Sequence, residues 1–259
     1  MVSLKLPQFK DIELEFLEEY CVTLKQISSA LDRMQCEQGC FYGDLIPTLL
    51  MTNLKLTELE EDTRMRHCMP LIHSVTAGFR ARFNKHLTLD PSLHDALMAS
   101  LSHPFFKLRW ISLVKDKNKS TDQLVKQMRE KFVVAVKLSE NAFQNVENSS
   151  EEKVVRKGKI NPDIFFIFDA SPTGTPSVTD GEVQALHFLQ EESSDLLSFH
   201  KYPAIKRVFL PYNTALPSSA PVERLFSFAG MIHSPKRSRL SDNLFEQLVF
   251  LKGNKEFSK

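Results

Sequence analysis

The chain has 259 residues, enough for one or two domains and a real apolar core, with 42% hydrophobic residues, 25% charged residues and a net charge of +1. That composition excludes a wholly disordered chain, and the near-neutral charge excludes a strong overall field toward nucleic acid or membrane. Only 8 Gly stand beside 20 Phe, a balance that suits helices better than strands and turns.

Charge is distributed unevenly. Residues 1–63 hold five Lys/Arg against twelve Asp/Glu, whereas residues 107–137 hold nine against three. A basic stretch is the minimum for binding phosphates, so Lys107, Arg109, Lys115, Lys117, Lys119, Lys126 and Arg129 form a candidate nucleic-acid-binding set. The same stretch also suits a solvated helix face. The first residues lack the apolar segment of a secretory signal, and no apolar run reaches the roughly 18 residues of a membrane span. The four cysteines, Cys21, Cys36, Cys40 and Cys68, are then expected to be reduced. Cys36, Cys40, His67 and Cys68 are the right residue types for zinc. However, His67 and Cys68 are adjacent and a matching second Cys pair is missing, so small buried or half-buried thiols are expected, with no metal and no cofactor.

In chain order, Leu14, Leu17, Cys21, Leu24, Ile27, Leu31 and Met34 recur in steps of three and four and predict an amphipathic helix over 12–34. The acidic cluster Glu13, Glu15, Glu18 and Glu19 suits its N-terminal half. After a break at Gln38-Gly39, Gly43 or Asp44 opens a second helix, with Pro47 in its first turn. Leu71, Ile72, Val75, Phe79 and Phe83 give a third helix over 69–86. Asp90-Pro91 is a helix start signal, Asp as N-cap and Pro at the first position, and His103-Pro104 ends the helix it opens. Phe105, Phe106, Leu108, Trp110 and Ile111 form a dense apolar cluster, and a fifth helix covers 121–138.

The pattern lapses from 139 to 163. Residues 145–158 are polar and charged and read as a flexible loop, and 170–179 as another. Between them, 164–168 is a short apolar run that fits a buried strand or a helix segment equally. Further helices are predicted over about 180–199, 204–210, 220–232 and 242–252, with Ser241 as the last N-cap. The expected fold is mainly α, with at most one or two short strands. Three regions follow: a helical region at 1–138, a flexible loop with a short apolar segment at 139–179, and a C-terminal region at 180–259.

The C-terminal region carries a set of linked blocks: Tyr202-Pro203, Phe209-Leu210, the run from Pro217 to Gly230 reading PSSAPVERLFSFAG, Arg239-Leu240, and 248–254 reading LVFLKGN. In order and spacing these resemble the C-terminal dimerisation region of the hAT transposase family. A weaker likeness runs through 16–20, Ala30-Leu31-Asp32 with Gln35, Phe41 with Gly43, 46–48, Arg82-Phe83 and 103–108, the last block degenerate. The resemblance implies a remnant of an interrupted ribonuclease H-like core: a helical bundle region followed by dimerisation helices. It also implies that Glu223 stands where the family has its final catalytic glutamate. Transposition by metal-assisted displacement needs three carboxylates together. The family's two aspartates lie upstream of the segment matched by 14–59, so this chain is expected to be no enzyme, with no confident catalytic residue. Asp163 and Asp169 bracket the run 164–168 but stand in the wrong order to replace them.

Glu223 has an alternative role as a helix-start carboxylate, paired with Arg224 or Arg239, with Ser218 or Ser219 as cap and Pro221 in the first turn. Val222, Leu225, Phe226, Ala229 and Ile232 make one apolar face, and Leu244, Phe245, Leu248, Val249, Phe250 and Leu251 cover most of the last helix. Two readings stay open for these faces: burial in the same chain against the 14–111 helices, or an interface with a partner. The function expected is a dimerisation or interaction module, with a second copy or a related hAT-derived protein as partner. The alternatives are a residual DNA-binding regulator using 107–137, or a fragment of a longer active transposase. No small-molecule substrate and no membrane are expected. The nucleus is the expected compartment, with the cytoplasm as an alternative, and the basic run 236–239 suits either nuclear import or a charged link between helices.

Overall fold

The computed structural model describes residues 8–36, 39–115, 119–149, 181–233 and 240–254. Every regular element among them is helical, as the composition leads one to expect. In order these are α1 (Asp11–Met34), α2 (Leu45–Glu60), α3 (Met69–Leu87), α4 (His94–Ser102), α5 (Thr121–Ser149), α6 (Gly181–Gln190), α7 (Pro203–Asn213), α8 (Ala220–Ile232) and α9 (Asp242–Gly253). Short 3-10 turns at Tyr42–Asp44, Pro91–Leu93, Arg109–Leu113 and Leu196–His200 join several of them. The run 164–168, Asp163 and Asp169, the loop at 170–179, Lys117 and the basic run 236–239 all lie outside the described residues.

The core is built around α4, whose last seven residues, Ala96 to Ser102, are all buried. Ile46 and Leu50 of α2, Trp110 and Ile111, Leu124, Met128, Phe132 and Val136 of α5, Phe188 of α6 and Ile205, Val208 and Phe209 of α7 close on it. The α5 set recurs every fourth residue, the spacing of one helix face. This cluster crosses the division expected at 139–179, because α6 and α7 pack on α5 and α7 packs on α4. A second small cluster, Leu59, Cys68 and Ile72, lies between α2 and α3.

Helix starts follow the signals in the sequence, with informative differences. Asp90 accepts from the Ser92 amide at 2.8 Å, as an N-cap should, but opens a 3-10 turn that only then becomes α4. Asp44 is the last residue of the turn before α2, and its buried carboxylate accepts from the Phe41 amide at 2.9 Å and from Arg33 at 2.7 Å, tying α1 to that start. The fifth helix runs eleven residues past 138, to Ser149, and so takes in 145–149, read from the sequence as loop. Val136 is its last buried residue among the described side chains, and a helix already anchored by packing continues beyond it. Glu140 then holds the next element by accepting the Gly181 amide at 2.7 Å.

The first helix departs from expectation in what it buries. Leu14, Leu17 and Leu31 of its apolar set are 45%, 40% and 50% exposed, and Thr23 is its only buried residue. Polar contacts position it instead. Glu19 accepts the backbone amides of Arg66, His67 and Cys68 at 2.7–2.9 Å. Burial raises its pKa, but these three amides outweigh that and hold the carboxyl below its ordinary range.

His103, which follows α4, is buried among the rings of Phe41, Phe106 and Phe209, with centroids 4.9–5.8 Å away. Its Nδ1 accepts from the Phe105 amide at 3.2 Å, which requires the neutral ring. Burial, opposed by the Asp44 carboxylate and reinforced by Arg33, pushes its pKa down to about 4. The unfolded chain therefore takes up this proton first as pH falls below about 6.5. Stability contributed by the neutral ring is present above that value and drains away down to about pH 4, on the order of 3 kcal/mol in all. Urea unfolding across that window is expected to show an acid limb steeper in the wild type than in His103→Gln. Parallel limbs would assign the acid loss to other groups.

Candidate interaction surface

Helices α8 and α9 form a hairpin that stands apart from the core. Neither contains a buried residue, and each packs chiefly on the other. The seam is aromatic and aliphatic: the His233 and Phe245 rings meet edge to face at 5.7 Å, and the Lys252 ammonium lies 5.7 Å over the Phe228 ring. A small cleft of about 320 Å³ along it is lined by Phe228, Met231, Ile232, Leu248 and Lys252. Ser241 caps α9, its hydroxyl accepting from the Leu244 amide at 3.4 Å.

The start of α8 is fixed differently from the cap predicted. The Ser218 hydroxyl donates to the Met34 carbonyl at 2.9 Å and so pins the hairpin to the end of α1. The Ser219 hydroxyl donates to the Glu223 carboxylate at 2.5 Å, and its side chain caps no amide. Pro221 occupies the first turn as expected. Glu223 is exposed in that first turn, where a negative charge complements the helix dipole. Among the described residues no group of three or more His, Cys, Asp or Glu is placed to hold a metal ion. Cys40 and Cys68 are buried, their Sγ atoms against the backbone carbonyls of Met34 and Phe16.

The eleven predicted interface residues divide into two sets. Ala229, Ile232, Phe245, Leu248 and Val249 are half-buried within the hairpin. Val222, Leu225, Phe226, Leu244, Phe250 and Leu251 are 50%, 38%, 69%, 47%, 67% and 56% exposed, and Met231, which sequence reasoning missed, is 64% exposed. Phe228 was missed too, although its position four residues before Ile232 on the same helix gave the signal. Burial against the 14–111 helices, one of the two readings left open, does not occur, since none of these side chains belongs to the core.

The basic stretch loses one member. Lys107 was expected among the phosphate-binding cations, but it is only 2% exposed. Its ammonium donates to the Glu191 carbonyl at 2.5 Å and sits 4.6 Å from the centroid of the Phe188 ring. Burial lowers its pKa, against the pull of the Glu191 carboxylate. Arg109 donates to the carbonyls of Glu192 and Phe105, and Lys119 to the Gln127 side chain. Lys115, Lys126 and Arg129 are exposed.

Compared with known proteins, the chain matches no family model, no curated protein and no solved structure. Among the described residues, no helix is long and apolar enough to cross a membrane.

Proposed function

We propose that this chain is a protein-interaction module of hAT-transposase descent that self-associates through α8 and α9, acts in the nucleus and performs no catalysis. One observation carries the reading. A helical hairpin with seven large apolar side chains 38% or more exposed contributes nothing buried to its own chain. A concentration of exposed large apolar side chains on one pair of helices is a usual mark of an interface. The hairpin coincides with the blocks that resemble the family's dimerisation region, which supports a second copy of the chain, or a relative of the same descent, as the partner. Glu223 then serves the start of α8 and not a metal-dependent reaction. The DNA-binding alternative has less support, because burial takes Lys107 out of its set.

Light scattering across a dilution series tests this directly. The mass is expected to rise from that of one chain to that of two within the micromolar range. A single-chain mass at every concentration would overturn the proposal.

A further inference from the structure

A groove of about 520 Å³ lies between α1, α2 and the turn that follows α4, and no residue of α8 or α9 lines it. Its size falls in the range of small-ligand sites. Pro47 and Met51 of α2, with Phe106, Trp110 and Leu113, give it an apolar floor, and Phe105, 49% exposed, stands at the side. Three cations complete the lining, Arg33, Lys55 and Arg109, and among the described residues no carboxylate-bearing residue lines it.

These cations are unequal. Arg33 is paired with the Asp44 carboxylate at 2.7 Å. Among the described residues Arg109 donates to neutral backbone carbonyls, those of Phe105 and Glu192. Lys55 makes no ion pair or hydrogen bond among the described residues. Among the described residues, therefore, Lys55 and Arg109 bring positive charge without an ion-pair partner to an apolar floor. Exposed cations beside an apolar floor, with no carboxylate among the described lining residues, fit an amphiphile whose head group is anionic, such as an ionised carboxylate.

We propose that this groove binds an amphiphilic carboxylate, its apolar body on Met51, Phe106, Trp110 and Leu113 and its head group at Lys55 and Arg109. The proposal goes beyond the interaction reading and does not depend on it. Binding here requires no second copy.

Trp110 is the only tryptophan of the chain, so its emission reports on this groove and not on the hairpin. Sodium dodecanoate, below its micellar concentration, is expected to shift that emission saturably. Dodecyltrimethylammonium, with the same chain and the opposite charge, is expected to bind at least tenfold more weakly. Lys55→Glu/Arg109→Glu changes two exposed side chains, and with helical content unchanged it is expected to raise the dodecanoate Kd at least tenfold. An emission that does not respond, equal binding of the two amphiphiles, or an undiminished affinity in the double variant would each overturn the proposal. Equal binding or undiminished affinity would identify an adventitious apolar contact only.

Discussion

Gly43→Ala is expected to cost about 3–5 kcal/mol of folding stability. A Cβ on residue 43 would lie 2.6 Å from the Ala99 carbonyl oxygen, 2.9 Å from its carbonyl carbon and 2.8 Å from Asn213 Oδ1. The first two are backbone atoms of the buried helix α4 and cannot step aside. The third belongs to a joint that holds three elements together. Asn213, at the end of α7, accepts from the Gly43 amide at 2.8 Å and donates to the Ala99 carbonyl at 3.2 Å and the Ser102 hydroxyl at 3.3 Å. Ser100 adds a fourth bond, its hydroxyl donating to the Gly43 carbonyl at 2.9 Å. Moving residue 43 outward strands several of these buried groups, and each unmatched one costs about 1–3 kcal/mol. Urea unfolding followed by helical circular dichroism measures the loss. An unfolding free energy within about 1 kcal/mol of wild type would mean that α4 and α7 can separate at this point without penalty.

Gly43 also shows where the sequence was legible and where it was not. The spacing of apolar residues located nearly every helix, because a helix that packs on a core must repeat its apolar face along its length. Asp90 and Ser241 announced their caps for a local reason, the reach of a short side chain to an amide two or three residues on. Gly43, by contrast, read as the opening of a helix. Its real constraint is the approach of α4 and of Asn213, 170 residues away, and no local pattern encodes that. Lys107 failed for the same reason. As a letter in a basic stretch it is a surface cation, and only the return of Glu191 and the Phe188 ring makes it a buried one. The groove beside Trp110 is likewise assembled from three separated segments. The hairpin was the most legible part of the candidate site. Its apolar positions were readable, but their division between the seam and the solvent depends on how α8 and α9 face each other.

Phe226→Glu/Phe250→Glu is expected to convert an associated chain into a monomer while leaving its helical content intact. The two rings are the most exposed of the hairpin's large apolar side chains, at 69% and 67%. Neither is part of the core, so their loss removes no core packing from the folded monomer. In a dimer each ring is covered, and covering a phenyl side chain contributes about 1.5–3 kcal/mol. A self-complementary interface contains every residue twice, once from each copy. Losing the rings and placing carboxylates in their positions is therefore expected to raise the dimer Kd by at least about 100-fold. The useful comparison is with Leu14→Glu/Leu17→Glu, which alters the other exposed apolar face, that of α1. If the hairpin carries association, the hairpin variant sediments as one chain at concentrations where the α1 variant still sediments as two. The reverse pattern would move the interface to α1. Wild-type behaviour in both variants would mean that the exposed rings of α8 and α9 meet no partner copy at all.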